Sequence, residues 1–221
     1  AAFGHIHETK RALPIVKAFA KLAAEHQEIK LIFVGKLDSG LAPRFQQVVK
    51  ELKISDQVQV TGYTELEEFR QYIDATDVCL NLRWPYNGET SGSLMRILGK
   101  GKCVVVNDIG SFGEIPDEAC VKLPSVETMS ENEEVEVIYH AMKELYENSN
   151  RRLKLEKSAR KFAEDCLDLN VIAQQYQKAI LKSKCCFVNE PLLYSVKEDA
   201  MSQNLSQEEL KQLATILAYI K

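Results

Sequence analysis

The feature that most limits the fold of this chain is the alternation of short apolar runs with longer amphipathic stretches. Residues 30–35 form a nearly continuous apolar run, which is typical of a strand buried on both faces of a parallel sheet. Strands that alternate with helices are joined by right-handed crossovers. We therefore predict a doubly wound α/β domain with a mainly parallel sheet and helices on both faces. The predicted strands are 1–4, 30–35, 57–61, 77–82, 103–107 and 119–123, and the helices between them are 10–25, 41–53, 64–75 and 93–100.

One of these helices carries a start signal. Thr64 and Glu67 have the spacing of a capping box, in which each side chain accepts a hydrogen bond from the other residue's backbone N–H. Helix 64–75 is therefore predicted to begin at Thr64.

The C-terminal part of the chain is predicted to be helical. Its first helix opens with an acidic run, which suits the positive end of a helix dipole. An amphipathic helix at 206–220 has Ser206 as its cap and Glu209 three residues later. We predict one domain over residues 1–183 and a C-terminal extension, containing that amphipathic helix, over residues 184–221. The other predicted helices are 131–148, 150–165 and 168–183.

Composition excludes several classes of protein. A net charge of −4 argues against nucleic acid as the main partner. The six cysteines show no CxxC and no zinc spacing with the four histidines, so no metal site is predicted. Cys79, Cys103 and Cys120 lie in apolar runs and are expected to be buried free thiols, which favours a reducing, cytoplasmic compartment. No signal peptide and no run long enough to span a bilayer is found.

Five glycine-bearing loops follow predicted strands. Ligands of doubly wound sheets bind where the carboxyl ends of the strands meet. The five loops are therefore predicted to line one edge of a shared crevice, at 4–10, 35–40, 62–63, 83–93 and 108–114.

The loop at 87–93 carries the most specific chemistry. It places two glycines, three hydroxyls and one carboxylate directly before a helical run. The free N–H groups and dipole of a helix start favour an anion such as phosphate. Glu89 would repel phosphate, so it suits a neutral, hydroxyl-rich group beside that anion. A nucleotide-sugar meets both requirements.

Three segments also carry a family resemblance. GETSGSLMRILGKGKCVVVNDIGSFGEIP resembles the donor-site segment of group 1 (family 4) retaining glycosyltransferases, which have the two-domain GT-B architecture. FGHIHETKRA resembles that family's first phosphate-contacting loop, and DQVQVTGYTELEEFRQYIDATDVCLNL resembles its middle section. The resemblance covers roughly residues 1–180 and only the C-terminal half of such an enzyme. It implies a Rossmann-like nucleotide-sugar-binding domain over 1–183.

The resemblance also implies roles for individual residues. Lys10 would hold the leaving diphosphate, and Glu89 would orient the transferred sugar, so these two are the candidate catalytic residues. Gly62 and Tyr63 would meet the nucleobase, with a cap on the edge of the core as the alternative role of Tyr63. Arg96 or Ile97 stands where the family has a ribose-binding glutamate. The family has an arginine after the first glycine, where this chain has His5. Either His5 or Arg11 could supply the second cationic contact in its place. The remaining candidates, which would contact phosphate, are Gly4, Thr90, Ser91, Gly92 and Ser93.

These implications define the expected enzyme and its alternatives. The enzyme would use a nucleotide-sugar as substrate, with no metal and no other cofactor. Its acceptor site would lie on a missing N-terminal domain, through which any peripheral membrane contact would occur, and residues 1–221 alone would bind donor without efficient transfer. One alternative is half of a sugar-nucleotide epimerase. The other is a non-catalytic interaction module, supported if helix 206–220 exposes an apolar face. The glycine spacing of residues 35–40 is not a P-loop, because Leu41 and Ala42 replace the required lysine and hydroxyl.

Overall fold

The computed structural model of this chain describes residues 1–186. The chain divides into two compact units, Ala1–Leu167 and Asp168–Lys221. The predicted amphipathic helix at 206–220 lies outside the described residues, as does all but the start of the predicted extension over 184–221. The boundary after residue 183 stays a prediction.

The first unit contains a parallel sheet of six strands whose order is β3-β2-β1-β4-β5-β6. The order reverses direction between β1 and β4, which is the switch point at which doubly wound sheets bind their ligands. The predicted doubly wound architecture is confirmed. The strands are β1 (Ala2–Phe3), β2 (Leu31–Val34), β3 (Val58–Val60), β4 (Cys79–Asn81), β5 (Val104–Asn107) and β6 (Val121–Leu123).

Helices follow each strand, and every helix predicted within the described residues is present. A 3₁₀ turn at Glu8–Lys10 leads into the first helix, and a π-helical turn at Ala163–Leu167 ends the first unit. The one-turn helix after β5 was not predicted. The helices are α1 (Ala12–Glu25), α2 (Ala42–Glu51), α3 (Leu66–Ala75), α4 (Gly92–Gly99), α5 (Gly110–Gly113), α6 (Glu131–Glu147), α7 (Ser149–Phe162) and, in the second unit, α8 (Leu169–Cys186).

The predicted capping box of α3 is wrong. The chain stays extended through Glu65, which occupies the cap position at φ −67° and ψ 158° and makes no side-chain capping bond. Thr64 therefore lies outside the helix. The capping box instead opens α6, where the Ser130 hydroxyl accepts from Glu133 N–H and the Glu133 carboxylate accepts from Ser130 N–H.

The central strands of the sheet are buried on both faces, which explains their apolar sequences. Along β5, Val105 packs into the core beneath α1, α2 and α6, while Val104 and Val106 pack into the core beneath α3, α4 and α5. The predicted buried thiols are present as free cysteines at Cys79, Cys103 and Cys120. Desolvation raises their thiol pKa values to about 11, 12 and 11 respectively, so they are inert at neutral pH.

Charged side chains join α1 to α6 along one seam. The buried member is the pair between Arg11 and Glu134, in which Arg11 Nε donates to Glu134 Oε1 at 2.7 Å and Nη2 donates to Oε2. Glu134 has a side-chain exposure of 4%, so its charge depends on this bidentate partner. More exposed pairs continue the seam, from Lys17 to Glu131 and from Lys21 to Glu136.

Candidate functional site

A cavity of about 470 Å³ opens at the carboxyl ends of the strands. It is lined by the loops that follow β1, β3 and β4, with the start of α4 and one face of α3. The loops at 35–40 and 108–114 contribute no lining residue, although both were predicted to lie at this edge. The sequence-predicted site residues that line it are Gly4, His5, Lys10, Tyr63, Thr90, Ser91, Gly92, Ser93 and Arg96.

The loop after β1 depends on two glycines that leave no room for a side chain. Gly4 has φ +95°, and a Cβ there would lie 2.6 Å from Lys10 Nζ. A Cβ at Gly35 would lie 2.1 Å from the Gly4 carbonyl oxygen, so the loop after β2 supports this loop from outside the cavity. These glycines allow the Lys10 side chain to fold back over the end of β1.

Lys10 is a partly buried cation with little compensation. Its ammonium donates to the Phe3 carbonyl oxygen, which is a neutral acceptor. Burial, followed by the nearby Arg83 guanidinium, lowers the pKa of Lys10 to about 8. An anion in the cavity would raise this pKa and stabilise the ammonium, because opposite charge favours the charged form.

The start of α4 is ordered by a buried asparagine. Ser91 caps the helix by accepting from Leu94 N–H at 3.3 Å. The hydroxyls of Ser91 and Ser93 both donate to Asn81 Oδ1, at 3.0 and 3.2 Å. The first N–H groups of a helix lack partners within it, so this arrangement presents the amides of Gly92 and Ser93 at the cavity wall. The role of Asn81 was missed, because an asparagine at the end of a strand has no distinctive sequence pattern.

Glu89 lies beside this wall but is not among the lining residues. Its Oε2 accepts from Asn87 N–H at 2.8 Å, and its Oε1 lies 3.0 Å from Arg83 Nε. Its own backbone N–H, that of Asn87 and the Arg83 guanidinium lower the pKa of the Glu89 carboxyl. Ser111 donates its hydroxyl to the Glu89 carbonyl at 3.2 Å, so the loop after β5 holds Glu89 from behind. Glu89 is ionised and 35% exposed at its side chain.

Arg83 was not among the predicted site residues. It lies two residues after β4, lines the cavity and has a side-chain exposure of only 9%. Desolvation lowers the pKa of its guanidinium, and Glu89 opposes that effect. The sequence did hold a signal for Arg83 as a site residue, because it is a charged residue directly after the predicted strand 77–82.

The other candidates have different surroundings. His7, which sequence reasoning also missed, lines the cavity and lies 2.7 Å from the Thr9 hydroxyl through Nδ1. Burial, then Arg83 and Lys10, lower the pKa of the His7 imidazole. Arg96 is turned back toward the helix start, since its Nη1 donates to the Gly92 carbonyl at 2.8 Å. Tyr63 stands at the rim with 76% exposure.

Besides Glu89, two candidates do not line the cavity. Gly62 shapes the turn after β3 with φ +77° and lies next to Tyr63. Arg11 points to the seam with α6, where its Nε and Nη2 donate to Glu134. Within residues 1–186, no three His, Cys, Asp or Glu side chains cluster as metal ligands, and no helix is long and apolar enough to cross a membrane.

Comparison with protein families decides the assignment. Residues 2–162 match the family described as glycosyl transferases group 1, which is more than half of the chain. The chain belongs to the group 1 glycosyltransferase family. No curated protein matched the chain.

Several solved structures share its fold. The C-terminal domain of the group 1 protein LpcC from Francisella tularensis has a TM-score of 0.65 at 16% identity, over 76% of this chain and 85% of that one. HepE from Anabaena, in complex with UDP, has a TM-score of 0.66 at 16% identity, over 82% of this chain and 48% of that one. The pneumococcal O-GlcNAc transferase GtfA, with UDP and GlcNAc, has a TM-score of 0.67 at 18% identity, over 82% and 35%. The chain therefore has the fold of a group 1 C-terminal domain and spans half or less of HepE and GtfA.

Proposed function

We propose that this chain is the donor-binding domain of a glycosyltransferase that moves a sugar from a nucleotide-sugar to an acceptor with retention of configuration. The observation that carries the proposal is the convergence of Lys10 and the start of α4 on one cavity at the switch point. Support also comes from family members solved with ligands. HepE was crystallised with UDP and with UDP-glucose, and GtfA with UDP and GlcNAc.

The diphosphate is the leaving group in this reaction, and negative charge grows on it as the bond to the sugar breaks. Groups that are already aimed at this charge lower the barrier without reorganising. Lys10 and the backbone amides of residues 91–93 supply those groups. The low pKa of Lys10, about 8, reflects an ammonium that gains stability when an anion approaches. The positive charge of the proposed mechanism thus comes from protein side chains and amides, without a metal ion.

Glu89 orients the transferred sugar in this proposal. Its carboxylate is ionised and has acceptor sites beyond those used by Asn87 N–H, so it can accept hydrogen bonds from sugar hydroxyls. Tyr63 and Gly62 receive the nucleobase at the rim. Tyr63 is exposed, and an exposed ring can stack on a base without loss of core packing.

The acceptor and the groups that bind it belong to an N-terminal domain that residues 1–221 do not include. On this proposal the chain by itself binds donor but transfers sugar inefficiently. Any peripheral contact with a membrane would be made through that other domain.

Thermal unfolding with and without nucleotides tests the donor-site proposal. UDP, GDP and ADP are each compared with the corresponding nucleoside. At a hundred times its dissociation constant, a bound nucleoside diphosphate raises the free energy of unfolding by about 2.7 kcal/mol. We expect at least one diphosphate to give this shift and its nucleoside to give less, because the phosphates carry the charge.

The matched variants are Lys10→Met and Lys30→Met. Lys30 is an exposed lysine directly before β2. It lies at the amino ends of the strands, away from the cavity, and its ammonium donates to the Asp56 carbonyl oxygen. Lys10→Met should abolish most of the shift, and Lys30→Met should leave it unchanged. The absence of a shift with all three diphosphates would contradict the proposal and favour an interaction module.

A further inference from the structure

The Arg83 guanidinium is a buried charge with an incomplete set of partners. Its side chain is more than nine-tenths buried and lines the cavity. Glu89 Oε1 lies 3.0 Å from Arg83 Nε, but the buried Nε–H makes no hydrogen bond to it or to any other described group. A guanidinium has five N–H donors, and burying them without acceptors costs free energy.

Arg11 provides a contrast within the same chain. Its guanidinium makes two hydrogen bonds to Glu134, and the bonds to that carboxylate raise the pKa of Arg11. Arg83 has one carboxylate at ion-pair distance, and burial lowers its pKa. Arg11 thus has a complete structural partner, whereas Arg83 does not.

The cavity also holds a second under-compensated cation. Lys10 donates to a neutral carbonyl, and the charge of Arg83 lowers its pKa further. Two cations therefore face one cavity with Glu89 as the nearby carboxylate. This arrangement favours a ligand that carries two negative charges, because each charge can compensate one cation.

On the basis of the proposed function, we propose that Arg83 is the second diphosphate-binding cation and that it exchanges Glu89 for phosphate when the donor binds. Phosphate then accepts from the guanidinium that Glu89 neutralises in this structure. The exchange releases Glu89 Oε1 for a sugar hydroxyl. The phosphate end and the sugar end of the donor are coupled through this pair.

This exchange has two consequences. A sugar without a diphosphate binds poorly, because Glu89 remains paired with Arg83. Removing the Glu89 charge has opposite effects on two ligands: it strengthens the binding of a bare diphosphate, which no longer competes with a carboxylate, and it weakens the preference for the sugar-bearing donor.

Calorimetric titration of the full chain tests the inference, with pyrophosphate and UDP as probes. Arg83→Met should raise the dissociation constant of pyrophosphate roughly 10- to 150-fold, as expected for lost hydrogen bonds to a charged group. Arg83→Lys should give a smaller rise, because it keeps the charge but loses the bidentate fork. Glu89→Gln should lower the dissociation constant.

Arg151→Met is the matched control. Arg151 lies on α7 and is also paired with one glutamate, Glu144, so its loss removes an ion pair outside the cavity. It should leave both dissociation constants unchanged. Circular dichroism identifies any variant that fails to fold, and if Arg83→Met is unfolded, Arg83→Lys and Glu89→Gln decide the outcome.

The outcomes separate this inference from the donor-site proposal. If wild type binds neither pyrophosphate nor any nucleoside diphosphate, the donor-site proposal fails. If wild type binds them and folded Arg83 variants bind equally well, Arg83 is not a phosphate ligand. If Arg83 variants lose affinity but Glu89→Gln does not gain it, the exchange of partners is refuted.

Discussion

Replacing Lys10 with methionine should stabilise this protein while removing its capacity to bind diphosphate. The pKa of Lys10 is about 8 in the folded chain against an ordinary value of 10.5. Since one pKa unit corresponds to about 1.4 kcal/mol, holding the ammonium in the folded chain costs roughly 3 kcal/mol at neutral pH. The variant loses the hydrogen bond to Phe3 carbonyl oxygen, which is worth about 1 kcal/mol. The expected net gain is about 2 kcal/mol, or roughly 4–8 °C in melting temperature.

The stability that Lys10→Met gains over wild type should fall as the pH rises. The folded chain releases the Lys10 proton near pH 8, but the unfolded chain keeps it until about pH 10.5. Between these values the unfolded state binds more protons, so the wild-type free energy of unfolding rises with pH. The cost of the charge is present in full below pH 8 and vanishes above pH 10.5. The advantage of Lys10→Met should therefore be largest near neutral pH and be lost in alkaline solution.

Urea denaturation of wild type, Lys10→Met and the surface control Lys30→Met at about pH 7 and about pH 10 measures this difference. At each pH, the free energy of unfolding of wild type is subtracted from that of Lys10→Met. The difference cancels the titration of the other lysines, which both proteins share. A variant less stable than wild type at neutral pH, or a difference that stays constant with pH, would refute the electrostatic account of Lys10.

Three further predictions concern other parts of the chain. Glu134→Gln removes the carboxylate partner of the partly buried Arg11 charge and should cost about 1–3 kcal/mol in urea denaturation, with UDP affinity unchanged in the folded fraction. Asn81→Ala removes the shared acceptor of two serine hydroxyls, so calorimetry should show weaker UDP binding and denaturation a loss of about 1–3 kcal/mol; unchanged UDP binding would contradict the ordering role of Asn81. Tyr63→Ala should change stability by less than about 0.5 kcal/mol but weaken UDP binding by about 1–3 kcal/mol, with pyrophosphate binding unaffected.

The fold could be predicted because the sheet is buried on both faces. Each central strand is then a largely apolar run that differs clearly from the amphipathic helices around it, as at Leu31–Val34. The start of α3 could not be predicted, since Thr64 and Glu67 have the right spacing but the chain remains extended through Glu65. Local spacing reports which residues could cap a helix, and the path of the preceding loop decides which one does.

The site was predictable where it is built from consecutive residues. The loop before α4 and the loop after β1 each carry a local pattern, and their residues meet in one cavity. Arg11 and Arg83 could not be distinguished in the same way. The partner of Arg11 lies 123 positions away, at Glu134, while Arg83 faces the cavity. Which arginine has a complete partner depends on tertiary packing that neither residue's neighbours in sequence reveal.

The position of Tyr63 has a consequence for how such a domain can change over evolution. Tyr63 follows β3, which is an edge strand of the sheet, and its side chain is largely in solvent. Gly4, Gly35 and Asn81, by contrast, are tied to the central strands through close backbone contacts and buried hydrogen bonds. Substitutions of Tyr63 therefore cost little stability, and substitutions around the phosphate site cost much. We expect the choice of nucleotide to drift readily among relatives of this domain while the means of holding its diphosphate stays fixed.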